Sequence, residues 1–168
     1  KHLFVFIIFF LFSLVKAQNL VPNPSFEDTI HCPTTIGQLS YSQFWVIPSQ
    51  ATPDYFNVCS TVNGNAVHTP NNGFGNQAPH LGNAYAGFYA FNKVFPDTFR
   101  EYIQTSLTTS LTANHKYLVS FYLSLSEVSE YALSCVGIYF STNPISKSGA
   151  GVFNFTPQIL NKSSNMLS

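Results

Sequence analysis

The chain has 168 residues, of which seven are basic and seven acidic, so its formal net charge is zero. This balance argues against a nucleic-acid-binding protein, which needs a basic face to neutralise phosphates. The 17 Phe and 9 Tyr residues, together with many Asn, Ser and Thr, favour pleated sheets over helices, and the length is enough for one domain with its own core.

Residues 1–17, KHLFVFIIFFLFSLVKA, have the features of a secretory signal peptide. Lys1 and His2 form a short polar head, and an apolar run follows them. Val15-Lys16-Ala17 predicts cleavage before Gln18. Because the apolar run is short for a membrane span, we expect a secreted protein, outside the cell or at its surface; an uncleaved membrane anchor is the alternative.

Three cysteines remain after this segment: Cys32, Cys59 and Cys135. Export permits disulfides, and one pair with one leftover thiol is the simplest arrangement. Cys32 and Cys59 both lie in loop-like sequence, whereas Cys135 opens an apolar, strand-like run. We therefore predict a Cys32–Cys59 disulfide and a free Cys135 packed as a small core residue. The alternative is three free thiols.

The mature chain shows period-two alternation, typical of strands, and no helical period of useful length. The clearest run is YLVSFYLSL at 117–125, where Val119 and Phe121 share one face and Ser120 and Tyr122 share the other. In chain order, the predicted strands are 18–21, 84–91, 99–107, 117–125, 135–141 and 152–156.

The segment 62–83 is rich in Gly, Pro and Asn, which favours turns. A long irregular stretch of this kind is unusual inside a compact domain and is often functional. Short strands separated by turn signals predict an all-β sandwich or barrel. The chain shows no internal repeat and no domain boundary after residue 17, so we treat 18–168 as one domain.

Two segments carry a family resemblance. Residues 19–27, NLVPNPSFE, resemble the opening motif of galactose-binding-like jelly-roll modules from bacterial carbohydrate-binding proteins. Residues 111–122, LTANHKYLVSFY, resemble a strand entry of the same superfamily. Asn114 stands where Gly is usual, and Asn also tolerates left-handed turn geometry.

Further segments are similar to a narrower group: secreted, often multidomain proteins that gliding-type bacteria export by the type IX route, frequently ending in a sorting domain. The resemblance covers about residues 18–160 and implies an antiparallel jelly-roll β-sandwich. Such modules close with a further strand that this chain does not reach, so we expect a domain truncated at its C-terminal end. The matching segments are 32–33, 53–59, 82–87, 100–104 and 139–141.

The resemblance also implies that Glu27 is a ligand of a structural calcium ion. Related jelly rolls hold calcium with the Glu of the opening motif, backbone carbonyls and a late Asp, which this chain lacks. Calcium requires several oxygen ligands at once. The alternative for Glu27 is a surface or turn-capping carboxylate.

Catalytic motifs are missing from the sequence. The five histidines are scattered without metal-binding spacing. No carboxylate spacing singles out a glycosidase pair, and there is no G-x-S-x-G motif. We therefore expect a protein that is not an enzyme, with a cryptic hydrolase as the alternative.

Aromatic and amide side chains point instead to carbohydrate. Flat rings stack on the apolar faces of sugars, and Asn, Gln and Arg hydrogen-bond the hydroxyl groups. We predict a carbohydrate-binding or adhesive module of a larger exported protein, with a glycan or cell-surface polysaccharide as its partner. The alternatives are a structural spacer without a ligand, and rings that only fill the core. The candidate ligand-binding residues, expected on one sheet face, are Trp45, Arg100, Tyr102, Gln104, Tyr122 and Tyr139.

Overall fold

The computed structural model of the chain describes residues 18–61, 66–92 and 99–161. The predicted signal peptide at 1–17 lies outside the described residues, as do 62–65 of the predicted functional loop. The described part is all-β, with one 3-10 turn at Leu39–Tyr41 and no α-helix. Its strands are β1 (Trp45–Val46), β2 (Asp54–Asn57), β3 (Asn71–Asn72), β4 (Gly75–Asn76), β5 (Ala84–Gly87), β6 (Gln104–Thr105), β7 (Gly137–Ile138) and β8 (Ile159–Leu160).

All strand pairs in the described residues are antiparallel and two-stranded: β1 with β6, β2 with β5, β3 with β4, and β7 with β8. The β3–β4 pair is a hairpin, whereas the other pairs join distant parts of the chain. In the ranges that the structure describes, no helix has the length and apolar character needed to cross a membrane.

The centre of the core is the β2–β5 pair. All four residues of β2 are buried, and Tyr55 and Phe56 point to opposite faces because successive strand side chains alternate. Tyr and Phe favour pleated, buried strands, which explains why this segment forms the central strand. The buried apolar residues are Leu39, Ala51, Tyr55, Phe56, Val67 and Ala84.

The fully buried Tyr55 hydroxyl is held by three polar groups. It donates to the Phe26 carbonyl at 2.8 Å, accepts from Asn57 Nδ2 at 2.7 Å and lies 2.6 Å from the Thr29 hydroxyl. A buried hydroxyl without partners would be costly. These bonds therefore fix the 26–29 segment to β2.

Asn23 of the opening motif fixes the same segment from its other end. Its Nδ2 lies 3.0 Å from the carbonyls of Asp28 and Gln43 and from the Ser42 hydroxyl, while its Oδ1 accepts from Asp28 N at 2.9 Å. Asn23 has a φ of +45°, and Asn114, farther along the chain, has a φ of +63°. Asn tolerates such left-handed backbone conformations better than most residues.

The predicted strands are confirmed only in part. The run 84–91 contains β5, while 99–107 and 135–141 shrink to the two-residue strands β6 and β7. No strand forms at 18–21 or 152–156, although Gly151 bridges Phe99. The prediction for 117–125 is wrong: no described strand pairs with it, and Leu118 is 94% exposed.

Alternation failed at 117–125 for a physical reason. A period of two records which side chains share a face, but a strand also needs a partner for its backbone groups. In the described residues, the backbone of this segment meets no such partner. The predicted loop, by contrast, contains the β3–β4 hairpin in its described part.

The disulfide prediction is confirmed: Cys32 and Cys59 are bonded, with their Cα atoms 5.7 Å apart. Cys135 is free, as predicted, but it is exposed, so its assignment to the core is wrong. Val136 lines a cleft described below. Because neighbouring residues of an extended segment point to opposite sides, Cys135 faces solvent.

Replacing both bonded cysteines, in a Cys32→Ser/Cys59→Ser variant, is expected to lower the free energy of unfolding by about 3–4 kcal/mol. The disulfide closes a loop across a sequence separation of 27, and opening it restores conformational entropy to the unfolded chain. Urea denaturation under oxidising conditions measures the loss. Cys135→Ser is the matched control and should change the stability by less than about 0.5 kcal/mol; equal stability of all three proteins would contradict the prediction.

Candidate functional site

The six predicted ligand-binding residues lie in different places. Trp45 stacks on Phe26 with ring centroids 4.7 Å apart, and its Nε1 donates to the Asn23 carbonyl at 2.9 Å. Its ring and its donor are therefore both engaged by the opening motif. Tyr122 stacks on His80, with centroids 3.4 Å apart, and is 73% exposed.

Of the other four predicted residues, three contact the later part of the chain and Arg100 contacts its own neighbourhood. Gln104 accepts from Ile145 N at 2.9 Å, and the Tyr102 hydroxyl accepts from Phe153 N at 3.2 Å. The Arg100 guanidinium donates to the Phe99 carbonyl and lies 5.0 Å from the centre of the Phe91 ring.

Tyr102 and Tyr139 are brought together through a row of rings. Tyr102 meets Phe153 edge to face at 4.8 Å, Phe153 stacks on Phe155 at 5.5 Å, and Phe155 stacks on Tyr139 at 4.6 Å. The six residues therefore do not share one face. Of the six, only Tyr122 lines the large cleft beside the β2–β5 pair.

That cleft has a volume of about 810 Å³. It lies between the β2–β5 pair, the β3–β4 hairpin and the segment 122–136, and we call it the aromatic cleft. Its lining combines rings with amide and carboxylate groups. The rings are Phe56, Phe74, Tyr85, Phe88, Tyr89, Phe91, Tyr122 and Tyr131, with His80; the amides are Asn72, Asn76, Gln77 and Asn92; the carboxylates are Asp54, Glu127 and Glu130.

The floor of the aromatic cleft is fixed by strand register. Phe56 and Tyr85 are directly opposite in the β2–β5 pair, so their rings share a face and stack with centroids 4.8 Å apart. Phe74 meets Phe56 edge to face at 5.8 Å. Gly87 makes room for this arrangement, because a Cβ atom there would lie 2.7 Å from Phe56 Cε2.

The two walls of the cleft are joined by side-chain to backbone contacts. The Ser126 hydroxyl donates to the Phe74 carbonyl at 2.7 Å, and Glu127 accepts from Asn76 N at 3.0 Å. Ser124 also contacts Gln77. These bonds hold the segment 124–127 against the hairpin, across about fifty residues of sequence.

Asn72 holds the hairpin to the floor. Its Nδ2 donates to the Tyr85 hydroxyl at 2.6 Å and to the His68 carbonyl at 3.2 Å, while its Oδ1 accepts from Phe74 N at 2.9 Å. Its hydrogen bonds are therefore used within the protein. Asn76 is exposed on the same hairpin, so its amide group is accessible, whereas the exposed Gln77 donates to the Ala78 carbonyl and contacts Ser124.

Two carboxylates are buried near each other: Asp54, which lines the cleft, and Glu101, which is not among the lining residues. Asp54 Oδ1 accepts from Gly37 N at 2.7 Å. Glu101 accepts from Thr52 N at 3.0 Å through Oε1 and from Tyr89 N at 2.7 Å through Oε2. Burial, helped by the nearby Glu101 charge and opposed by the hydrogen bond from the Gly37 N–H, raises the pKa of Asp54 to about 6.

Glu27 caps the start of β5. Its Oε1 accepts from Asn83 N at 2.7 Å and from Ala84 N at 3.0 Å. The groups that face this carboxylate are thus N–H donors, which cannot ligate calcium. In the part of the chain that the structure describes, no group of three His, Cys, Asp or Glu side chains could hold a metal ion; the calcium site stays a prediction.

Sequence reasoning missed most of the aromatic cleft, including Asp54, Phe56, Phe74, Tyr85 and Tyr89. Two signals pointed towards it: the irregular segment 62–83, and the nearly continuous apolar run 84–91. Neither signal shows that a separate strand, β2, lies opposite that run. The sequence therefore drew attention to these segments, but it did not predict that they pack against each other.

Comparison with known proteins gives no match to this chain, whether with a family model, a curated protein or a solved structure.

Replacing Glu27 by Ala is expected to lower the free energy of unfolding by about 1–3 kcal/mol, because two backbone N–H groups lose a charged acceptor. Glu27→Gln keeps an acceptor oxygen and should lose less. Thermal denaturation measures both. Unchanged stability of the Ala variant would contradict the capping role, and a calcium-dependent rise in melting temperature confined to the wild type would support the calcium prediction.

Asp54→Asn tests the raised pKa through the pH dependence of stability. A carboxyl group with a folded pKa of about 6 and an ordinary value of 3.8 binds its proton more tightly when folded. Wild-type stability relative to Asp54→Asn should therefore rise as the pH falls from about 7.5 to about 4, by up to about 3 kcal/mol. Urea titrations at several pH values measure the difference; a difference that is independent of pH would contradict the assignment.

Proposed function

We propose that the chain is a non-catalytic carbohydrate-binding or adhesive module of a larger secreted protein, and that its glycan lies in the aromatic cleft. The observation that carries the proposal is the lining of this cleft, where tyrosine rings alternate with amide groups around an open volume of about 810 Å³. Rings and amides together match the apolar faces and hydroxyl rims of sugars.

Three tyrosines in the lining have rings that reach solvent: Tyr89, Tyr122 and Tyr131 are 42%, 73% and 39% exposed. Each of them packs against another ring of the lining: Tyr89 against Phe74, Tyr122 against His80 and Tyr131 against Phe91. The exposed rings are the stacking surfaces in this proposal, and the rings behind them support them. Tyr122, backed by His80, offers the most open face.

The proposed fold is the antiparallel jelly-roll sandwich that the resemblance implies. The antiparallel pairing of the described strands and the tight structure of the opening motif support it. The proposed location is extracellular or at the cell surface, after cleavage before Gln18. Both statements rest on the sequence segments given above.

The non-catalytic assignment rests on how the buried carboxylates are used. Asp54 and Glu101 are close enough to influence each other, as the two acids of a glycosidase would be. However, both oxygens of Glu101 accept hydrogen bonds from Thr52 and Tyr89. We therefore assign Glu101 to holding these loops together.

Affinity is expected to be modest, because an open site must desolvate many sugar hydroxyls and regains little net energy from each hydrogen bond. We expect dissociation constants on the order of micromolar to millimolar, which corresponds to about −8 to −4 kcal/mol.

The test is affinity electrophoresis of the secreted chain against a panel of soluble polysaccharides, followed by titration with oligosaccharides. Tyr122→Ala should weaken binding by about 3- to 10-fold, since one stacked ring contributes about 1 kcal/mol. Tyr139→Ala is the matched control: Tyr139 is 39% exposed but lies in the other row of rings. Loss of binding in Tyr139→Ala alone would place the site on that row. If the wild-type chain binds none of the polysaccharides, the spacer function is favoured.

A further inference from the structure

The acidic residues of the chain are concentrated in one place. Three of its seven Asp and Glu residues, Asp54, Glu127 and Glu130, line the aromatic cleft. A fourth, Glu101, is buried close enough to influence Asp54. Among the described residues that line the cleft there is a histidine but no Lys or Arg. In a chain with zero net charge, the described lining of this cleft therefore carries more acidic than basic side chains.

Arg100 is not among the residues that line the cleft, so its charge does not offset that of the carboxylates there. Its guanidinium donates to the Phe99 carbonyl and packs over the Phe91 ring. Glu127 is partly satisfied by the Asn76 N–H. Glu130 is exposed and accepts no hydrogen bond from any described residue, so its charge is available to a ligand.

Asp54 provides the second observation that points to a ligand. It is only 5% exposed, and it lines the cleft. One of its carboxylate oxygens accepts from Gly37 N, while the other accepts no hydrogen bond from a described residue. A buried carboxylate without a counter-ion is costly unless a cation or a donor meets it.

The exposed aromatic faces of the cleft also favour a cationic ligand. The faces of Tyr89, Tyr122 and Tyr131 carry the negative part of the ring quadrupole, which attracts cations. Carboxylates and exposed tyrosine faces together suit a ligand that has both an apolar ring face and a positive charge. They oppose uronic acids and sulfated sugars, because like charges would be brought together in a partly enclosed site.

We propose that the glycan bound in the aromatic cleft is an amino sugar with a free ammonium group, of the glucosamine type. This inference rests on the proposed function and narrows it. In this proposal the ammonium group pairs with a carboxylate that lines the cleft, for which Asp54 and Glu130 are the candidates, and the sugar ring stacks on the exposed tyrosines.

The experiment compares three oligosaccharide probes by titration at about pH 6.5: glucosamine oligomers, N-acetylglucosamine oligomers and oligogalacturonate. The first two differ in the charge of the nitrogen, which acetylation removes. We expect the glucosamine oligomer to bind at least about 10-fold more tightly than its acetylated counterpart, and oligogalacturonate to bind weakest. The preference should shrink at high salt, where charges are screened.

Variants locate the charge that sets the preference. Glu130→Gln should reduce the preference for the free amine by about 3-fold, and a Glu130→Gln/Asp54→Asn variant should reduce it further. Asp28→Asn, which removes an exposed carboxylate outside the cleft, is the matched control and should leave the preference unchanged. Circular dichroism and thermal denaturation confirm that each variant is folded.

The outcomes separate the two proposals. Equal binding of both glucosamine derivatives, or tighter binding of oligogalacturonate, would overturn the amino-sugar assignment and leave carbohydrate binding intact. An equal loss of preference in Asp28→Asn would show a general charge effect and also overturn it. Failure of every oligosaccharide to bind would overturn both proposals.

Discussion

The hydroxyl group of Tyr55 is the constraint on which the rest of the described structure depends. The side chain is fully buried in a strand whose two faces are both covered, so its one polar atom must find partners inside the protein. It finds them in Phe26, Thr29 and Asn57. The opening motif is thereby fixed to β2, and the register of β2 with β5 then sets Phe56 against Tyr85 in the cleft.

The sequence predicted what depends on local pattern or on simple counting. The all-β class follows from composition and alternation, the run 84–91 predicted β5, and three cysteines in a chain expected to be exported predicted one disulfide. The same reasoning failed for 117–125, which alternates best of all. Alternation can be read from one segment, whereas a hydrogen-bonded ladder requires two. The sequence of the first segment does not show which segment, if any, will pair with it.

The candidate site was harder to predict because no single segment contains it. Its rings come from β2, from the hairpin and from β5, and its walls meet through bonds such as those from Ser126 and Glu127 to the hairpin. The residues chosen from sequence were expected to share one face of a sheet. Tyr102 and Gln104 instead use their polar atoms to hold the later chain, which is a structural role.

Gly87 has no side chain, and this leaves room for the Phe56 ring at the floor of the cleft. The ring of Phe56 occupies the space that any larger side chain at this position would need. A single methyl group there would force that ring to shift, and because Phe56 lines the cleft, the shape of the cleft would change with it. Position 87 is therefore a means of reshaping the cavity through its floor, without adding a polar or charged group.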